Sequence, residues 1–224
     1  MFKRKNSWLK HSFSQSGEDL IVKFIFDCLG IPKPSYIDIG AHHPFYISNT
    51  ALLYENGSRG INIEPDPTLF KEFIKYRNED INLNIGISSE AGELNFYIIN
   101  NPTLNTFSKK EADSYHLKGN FRVVDTKKIE VYKIENIIDK YFKGIFPQFI
   151  TIDAEGIDEL IIESIDFVKS FPIVICIETI SFSHNGNGEK NIKLIELIKS
   201  KGYLLYADTN INSIFVRIEN WVRE

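Results

Sequence analysis

A chain of 224 residues, 43% of them hydrophobic and 17 of them phenylalanine, has the length and apolar content of one α/β domain with a large core. Its net charge of −4 and pI near 5.8 argue against a general nucleic-acid binder, which carries a basic field. No apolar run long enough for a transmembrane helix or a signal peptide follows the basic start MFKRKNSWLK, so the expectation is a cytoplasmic domain over 13–224 behind a basic arm at 1–12. Cys28 and Cys176, each inside an apolar run, read as core residues and not as a disulfide or zinc site.

Strand-like and helix-like stretches alternate along nearly the whole chain, which predicts an α/β fold with a mostly parallel central sheet and helices on both faces. In SQSGEDLIVKFIFDCLG, Ser16 is the expected N-cap and Glu18 and Asp19 fill the first turn. Leu20, Ile21, Phe24, Ile25 and Cys28 form the apolar stripe, and Gly30 is the stop. A first strand covers Tyr36 to Ile39. A short helix from Asn49 to Glu55 ends at Gly57, and a second strand covers Gly60 to Glu64. Asp66 followed by Pro67 starts the helix DPTLFKEFIKYR. INLNIGIS reads as a third strand, and ELNFYII as another after the turn SEAG.

From Asn100 to Thr126 the periodicity fades, and a connection of that length in a compact domain points to a lid or binding element. A short strand and the helix IENIIDKYF follow. QFITID then reads as a strand, GIDELIIESIDFV as an amphipathic helix, PIVICIE as a strand and EKNIKLIELIKSKG as a helix. YLLYAD and NSIFVRI pair across a turn around Thr209 to Asn212, which makes the C-terminal strand antiparallel. No internal repeat or domain linker interrupts the pattern.

Ligands of open α/β sheets bind at the carboxyl ends of the strands, where the strand order reverses. Four acids fall at such ends: Asp38 within the first strand, Glu64 closing the second, and Asp153 and Glu178 closing two later ones. A ring of charge at one sheet edge is hard to explain by folding alone. Asp38-x-Gly40 suits a turn where the backbone comes close to a ligand. Glu64 lies roughly 20 residues on, where an acid holds the ribose hydroxyls of an adenosine cofactor. The glycine-rich G-x-G-x-x-G is missing, because Gly40 is followed by Ala-His-His-Pro. A pyrophosphate seat is therefore poorly supported, and S-adenosylmethionine fits better than NAD or FAD. On these two features alone, a tight turn with a solvated glutamate is an equal reading.

The blocks FSQSGEDLIV, YIDIGAHHPFYISNT, GINIEPDP, NLNIGISSEAGELNFY, NTFSK and FITIDAEGID, kept in order and spacing from about Phe13 to Glu178, together resemble the FkbM-family methyltransferases. The resemblance implies a Rossmann-like class I methyltransferase fold that uses S-adenosylmethionine to methylate a hydroxyl on a sugar or natural product. Thr151 stands where many members carry Lys or Ser, and Gly156-Ile157-Asp158 replaces the usual Gly-x-Glu. These departures bear on the substrate more than on the cofactor. Carried over residue by residue, Asp38, Gly40 and Ala41 line the methionine and ribose portions. Glu64 holds the ribose hydroxyls with Pro65 beside it, and Gly86, Ile87 and Ser88 flank the adenine. Ser14 and Gln15 fold over the cofactor, with helix capping by Ser14 or Ser16 as the alternative. Asn49 is a contact candidate, beside Ser48 and Thr50 as caps.

Methyl transfer needs an acceptor oxygen aligned with the methyl group and a base to take its proton. His43, Asp153 and His42 are the candidates, with the histidine pair expected to face the methyl group and one of the two alternatively packing against Pro44 and Phe45. Asp153 with Glu178 also resembles the carboxylates of metal-dependent O-methyltransferases, and oxygen ligands suit magnesium, calcium or manganese. Glu155 and Asp158 complement the N-terminus of the following helix. The acceptor site is expected from 100–126 and 181–188, with Tyr97, Phe107, Tyr115 and Phe121 as an apolar or sugar-stacking wall and His116 and His184 as candidate contacts. The expected partner is a small-molecule or saccharide acceptor. A cofactor-binding scaffold without turnover and a nicotinamide-dependent oxidoreductase are the competing readings.

Overall fold

A computed structural model of the chain describes residues 9–154, 156–181 and 188–222, without the side chains of His116 and Lys118. Glu155, His184, the side chain of His116 and most of the 181–188 segment, all singled out in the sequence, lie outside the described residues, as do residues 1–8 of the basic arm.

The centre is a short, wholly buried strand, β1 (Tyr36–Ile39). It pairs in parallel with β2 (Gly60–Ile63) on one side and β7 (Phe149–Ile152) on the other. β3 (Ile81–Leu83) extends the sheet beyond β2, and β8 (Val174–Glu178) extends it beyond β7. The antiparallel pair β9 (Tyr203–Asp208) and β10 (Asn212–Arg217) closes it through β10 on β8. The order is β3-β2-β1-β7-β8-β10-β9, so the chain reverses direction of build between β1 and β7. That reversal is the switch point at which such sheets take ligands.

Helices cover both faces. α1 (Glu18–Cys28) and α2 (Ala51–Glu55) pack together, and the apolar side of α1 joins Tyr36, Phe149, Cys176 and Ile214 in one core. Isoleucines of β1, β2, β7 and β8 meet α5 (Ile134–Phe142), α6 (Asp158–Ser164) and α7 (Ile192–Ser200) in the other. α3 (Pro67–Tyr76) starts as the sequence predicts: Pro67 is its first residue, and the Asp66 carboxylate accepts the Thr68 amide. No helix among the described residues is long and apolar enough to cross a membrane.

Several expectations need correction. The α1 cap is not Ser16: the Ser14 hydroxyl accepts the amides of Gly17 and Asp19, and the Ser16 amide donates to Glu18. The buried face of α1 is Glu18, Asp19, Val22, Ile25 and Phe26, which leaves Phe24 and Cys28 exposed. INLNIGIS does not form one strand. Asn84 turns its amide to the carbonyls of Glu64 and Pro65, which ends β3, and β4 (Gly86–Ile87) pairs with a different strand. That partner, β6 (Val123–Tyr132), and β5 (Gly92–Ile99) form a second sheet of order β4-β6-β5. The aperiodic stretch is therefore the connection of an antiparallel pair, and it holds a 3₁₀ turn (Pro102–Leu104), α4 (Lys109–Ser114) and a second turn (Tyr115–Lys118). α6 is shorter than its apolar pattern, because Ser164 bonds back to the Ile161 carbonyl and Ile165 is already extended. A last short helix, α8 (Ile218–Trp221), follows β10.

Candidate functional site

Register alone assembles the acids. Ile39, Ile63, Ile152 and Ile177 sit side by side across β2, β1, β7 and β8, so the residues that follow them form one row at the sheet edge: Gly40, Glu64, Asp153 and Glu178. One residue before those isoleucines, Asn62, Asp38, Thr151 and Cys176, with Asn82 beside Asn62, form a second row. Side chains alternate faces along a strand, so this second row is a polar seam inside the sheet. The Asn49 amide donates to Thr151 Oγ1 at 3.0 Å and reaches Cys176 Sγ at 3.7 Å, tying the loop after β1 to that seam.

The first row, with Asp38 and Thr151 of the second, opens into a cavity of about 240 Å³. Asp38, Glu64, Asp153 and Glu178 all line it, as do Gln15, Gly40, Ala41, His42, Asn49, Pro65, Gly86 and Ile87. Ser14, His43 and Ser88 do not. Ser14 is occupied with Asp19, and the Ser88 amide with the Tyr132 carbonyl. His43 turns away because its Nδ1 accepts the amides of Phe45 at 3.1 Å and Tyr46 at 3.0 Å, which makes it the organiser of the turn. Of the histidine pair, only His42 reaches the cavity. The loop between them and α2 is bent at two non-glycine residues of positive φ, His42 at 54° and Ile47 at 53°. Such residues cost about 1–3 kcal/mol each and persist where the surroundings over-determine them. Here the Ser48 amide is fixed on the Phe13 carbonyl, and the rings of Phe13 and Phe45 pack 5.9 Å apart.

Gly40 needs its missing side chain for a reason other than the expected ligand approach. A Cβ there would lie 1.8 Å from the Asp153 carbonyl oxygen, so β1 and β7 converge only because the position is glycine, and its φ of +76° points the same way. Gly86 likewise leaves room for the Phe107 ring, 2.5 Å from where its Cβ would be. Phe107 and Phe96, with ring centroids 4.7 Å apart, form the apolar wall of the cavity beside β4.

The model of the family described as "Methyltransferase FkbM domain" matches residues 38–205, well over half of the chain. The chain belongs to this FkbM methyltransferase family. No curated protein matches it. Solved structures with a similar course include a TehB-like SAM-dependent methyltransferase from Corynebacterium glutamicum, 11% identical, covering 90% of this chain and 87% of that one at a TM-score of 0.43. A precorrin-6y C5,15-methyltransferase from Geobacter metallireducens is also 11% identical, covering 94% of both chains at 0.43. A Burkholderia thailandensis 1,6-didemethyltoxoflavin-N1-methyltransferase, solved with S-adenosylhomocysteine, is 9% identical and covers 90% of this chain and 77% of that one at 0.40. Likeness this distant says nothing about the acceptor of the present chain.

The FkbM domain is thus a Rossmann-like class I methyltransferase fold with an antiparallel C-terminal pair, as the sequence predicted. Its cavity suits the cofactor of that class by charge. Four acids line the cavity and, among the described residues, no Lys or Arg does. A sulfonium cation favours the ionised forms of these acids and is drawn to such a wall, whereas a diphosphate finds no cation in it. Glu64, 4% exposed, accepts the amides of His42 and Asp66, each at 2.7 Å, which holds its carboxyl rigid at the end of β2. Burial nonetheless pushes it up to about 8, with those amides opposing and Asp66 and Asp38 adding to the rise. Asp38 is pushed up to about 6, again by burial first, with Thr50 and Arg77 opposing. Asp153 is exposed at the open cavity, yet the protein packed around it, then Asp158, Asp38 and Glu111, push it up to about 7. Glu178 is raised well above the usual carboxylate range by burial and then by Asp153. His42 is lowered, first by burial and then by His43.

Asp153 and Glu178 are neighbours in the wall, but no group of three or more His, Cys, Asp or Glu side chains is arranged to hold a metal among the described residues. Asp158 does more than meet the helix end. Its carboxylate accepts the amides of Ala154 and Gly156, which fixes the turn that carries Asp153. Sequence reasoning missed Phe96, Leu69, Asn105 and Thr151 as cavity residues. Thr151 carried a signal, since a hydroxyl in an otherwise apolar strand next to Asp38 marks the polar seam. Tyr97, Tyr115 and Phe121 pack with Ile99, Leu104 and Ala112 in a small core between β5 and the connection to β6, and only Phe107 of the four expected aromatics lines the cavity.

Proposed function

We propose that this methyltransferase moves the methyl group of S-adenosylmethionine to a hydroxyl oxygen of a sugar or sugar-containing small molecule. The observation that carries the reading is the cavity at the β1/β7 switch point, with its four acids, no described cation and both Asp153 and His42 in the wall. On this reading Glu64 takes the ribose hydroxyls, and Pro65, Gly86, Ile87, Phe96 and Phe107, which line the same cavity, take the adenine. Asp38, Gly40, Ala41, Gln15 and Asn49 surround the methionine portion. The cofactor supplies an already activated methyl group, so the chain has two tasks: aligning the acceptor oxygen and taking its proton.

Asp153 is the better base. Held near 7, it is partly ionised at neutral pH and basic enough to accept a proton, and Asp158 fixes its turn. His42, lowered by burial, is neutral there and is the second candidate. Water exclusion falls to Phe96 of β5 and to Leu104 and Phe107 of the connection that follows it. The saccharide acceptor is what the family likeness implies, and a cavity wall without a described cation gives a phosphodiester no partner.

The test is transfer of a labelled methyl group from S-adenosylmethionine to a panel of neutral glycosides, followed by mass spectrometry of the product. Label found as a methyl ether, and lost with Asp153→Asn, supports the reading. Label on nitrogen, or no transfer from a protein that binds the cofactor, contradicts it.

A further inference from the structure

A fully buried arginine sits behind the cofactor wall. Arg77, the residue after α3, is 0% exposed. Its Nε donates to Asp80 Oδ2 at 2.9 Å, and its second terminal nitrogen donates to the Tyr36 hydroxyl at 2.6 Å. Tyr36 in turn donates to Asp80, which also accepts the Gly60 amide and the Asn62 side chain. The ion pair is therefore complete without Thr50. Yet the first terminal nitrogen of Arg77 points the other way, to Thr50 Oγ1 at 2.9 Å and the Pro44 carbonyl at 3.5 Å. A hydroxyl that accepts from a guanidinium must turn its own hydrogen elsewhere, and Thr50 gives it to Asp38 Oδ2 at 2.6 Å. Thr50 makes no cap to its own helix with that hydroxyl.

Resting on the cofactor reading above, we propose that Thr50 and Arg77 are positioning residues that act through Asp38. Arg77 orients the Thr50 hydroxyl, and Thr50 delivers a charge-assisted hydrogen bond that holds Asp38 ionised and in one rotamer at the cofactor wall. The same guanidinium also lies 3.5 Å from the Pro44 carbonyl, in the loop that carries His42. Burial penalises an ionised Asp38, and this relay is what opposes the penalty. The ring of Tyr54, 4.9 Å from the guanidinium carbon, and that of Phe73, 5.7 Å away, keep Arg77 from swinging out.

The test is calorimetric titration of S-adenosylmethionine into wild type, Thr50→Val, Thr50→Ser, Asp38→Asn and the Thr50→Val/Asp38→Asn double variant. The relay predicts binding weakened about tenfold in Thr50→Val and unchanged within about twofold in Thr50→Ser. In the Asp38→Asn background, Thr50→Val should add nothing, because the group it serves is gone. Thr50→Cys, with a weaker donor in nearly the same space, should fall between Ser and Val and serves as the readout if the valine variant does not fold. Full wild-type affinity in Thr50→Val or Thr50→Cys, or losses that simply add in the double variant, overturns the relay. Failure of the wild type itself to bind overturns the cofactor reading and the relay with it.

Discussion

At the scale of single residues, the proton is the central question, and pH separates its two candidates. With Asp153 as base, raised to about 7 in the free protein, kcat/KM rises with pH through about 7, since the carboxylate is the active form. With His42 as base, the limb lies below the ordinary histidine value of about 6.5, because burial lowers that group. The expected profile has its limb near 7, and Asp153→Asn removes the limb and costs about 10²–10⁴ in kcat. A profile with its limb below 6.5 that survives in Asp153→Asn assigns the role to His42. Gly40→Ala is the second prediction at this scale. It places a Cβ against the Asp153 backbone at a positive φ, so β1 and β7 must separate, and cofactor affinity falls at least tenfold with a stability loss of about 1–3 kcal/mol or more, read by calorimetry and urea unfolding. Glu64 and Asp153 were legible in the sequence because strand ends are legible, and register does the rest. His43 was not. The sequence shows two adjacent histidines, and only the fold shows that the Phe45 and Tyr46 amides claim one of them.

At the scale of elements, β1 depends on a polar cluster and not on apolar packing alone. Tyr36 opens β1, Asp80 precedes β3, and Arg77 leads away from α3, so one ion pair ties three elements together. Arg77→Met leaves Asp80 buried beside Tyr36 without its cation. That should cost about 3–5 kcal/mol, seen as a lower urea midpoint, and a loss below 1 kcal/mol would mean that the cluster is not closed to water. Helix starts such as Asp66-Pro67 were readable because capping is local chemistry. The split of INLNIGIS was not readable: both halves have strand composition, and what divides them is Asn84 satisfying the carbonyls of residues that lie some twenty positions earlier in the chain. The same holds for the excursion over 100–122, whose pattern looked aperiodic because it contains two turns and one short helix inside the connection of a β-pair.

At the scale of the whole molecule, four acids are gathered in one cavity wall, and the ligand-free protein bears the cost. A carboxyl whose folded pKa lies above its unfolded value stabilises the fold at low pH. That stability drains away as pH rises from the unfolded value to the folded one. For Asp38 the window runs from about 4 to about 6, and for Glu64 from about 4.5 to about 8. The ligand-free protein should therefore melt at least about 4 °C lower at pH 8.5 than at pH 5.5, with about 1 kcal/mol corresponding to 2–4 °C in a chain of this length. Saturating S-adenosylmethionine should narrow that gap, since its sulfonium supplies the missing positive charge. A melting temperature that climbs steadily with pH would place the wall acids in water instead. The parallel core of the sheet and its antiparallel end followed from alternation in the sequence, while the strand order and the second sheet, which supplies Phe96 and borders the cavity, did not.

The measurement that tests the account most directly is a calorimetric titration of the protein with S-adenosylmethionine and, separately, with NADH, repeated on Glu64→Ala. The account predicts saturable binding of one S-adenosylmethionine per chain, its loss in Glu64→Ala, and no binding of the diphosphate-bearing NADH to the acid-lined cavity. Absence of S-adenosylmethionine binding, or binding that Glu64→Ala leaves intact, would contradict the placement of the cofactor at the β1/β7 switch point.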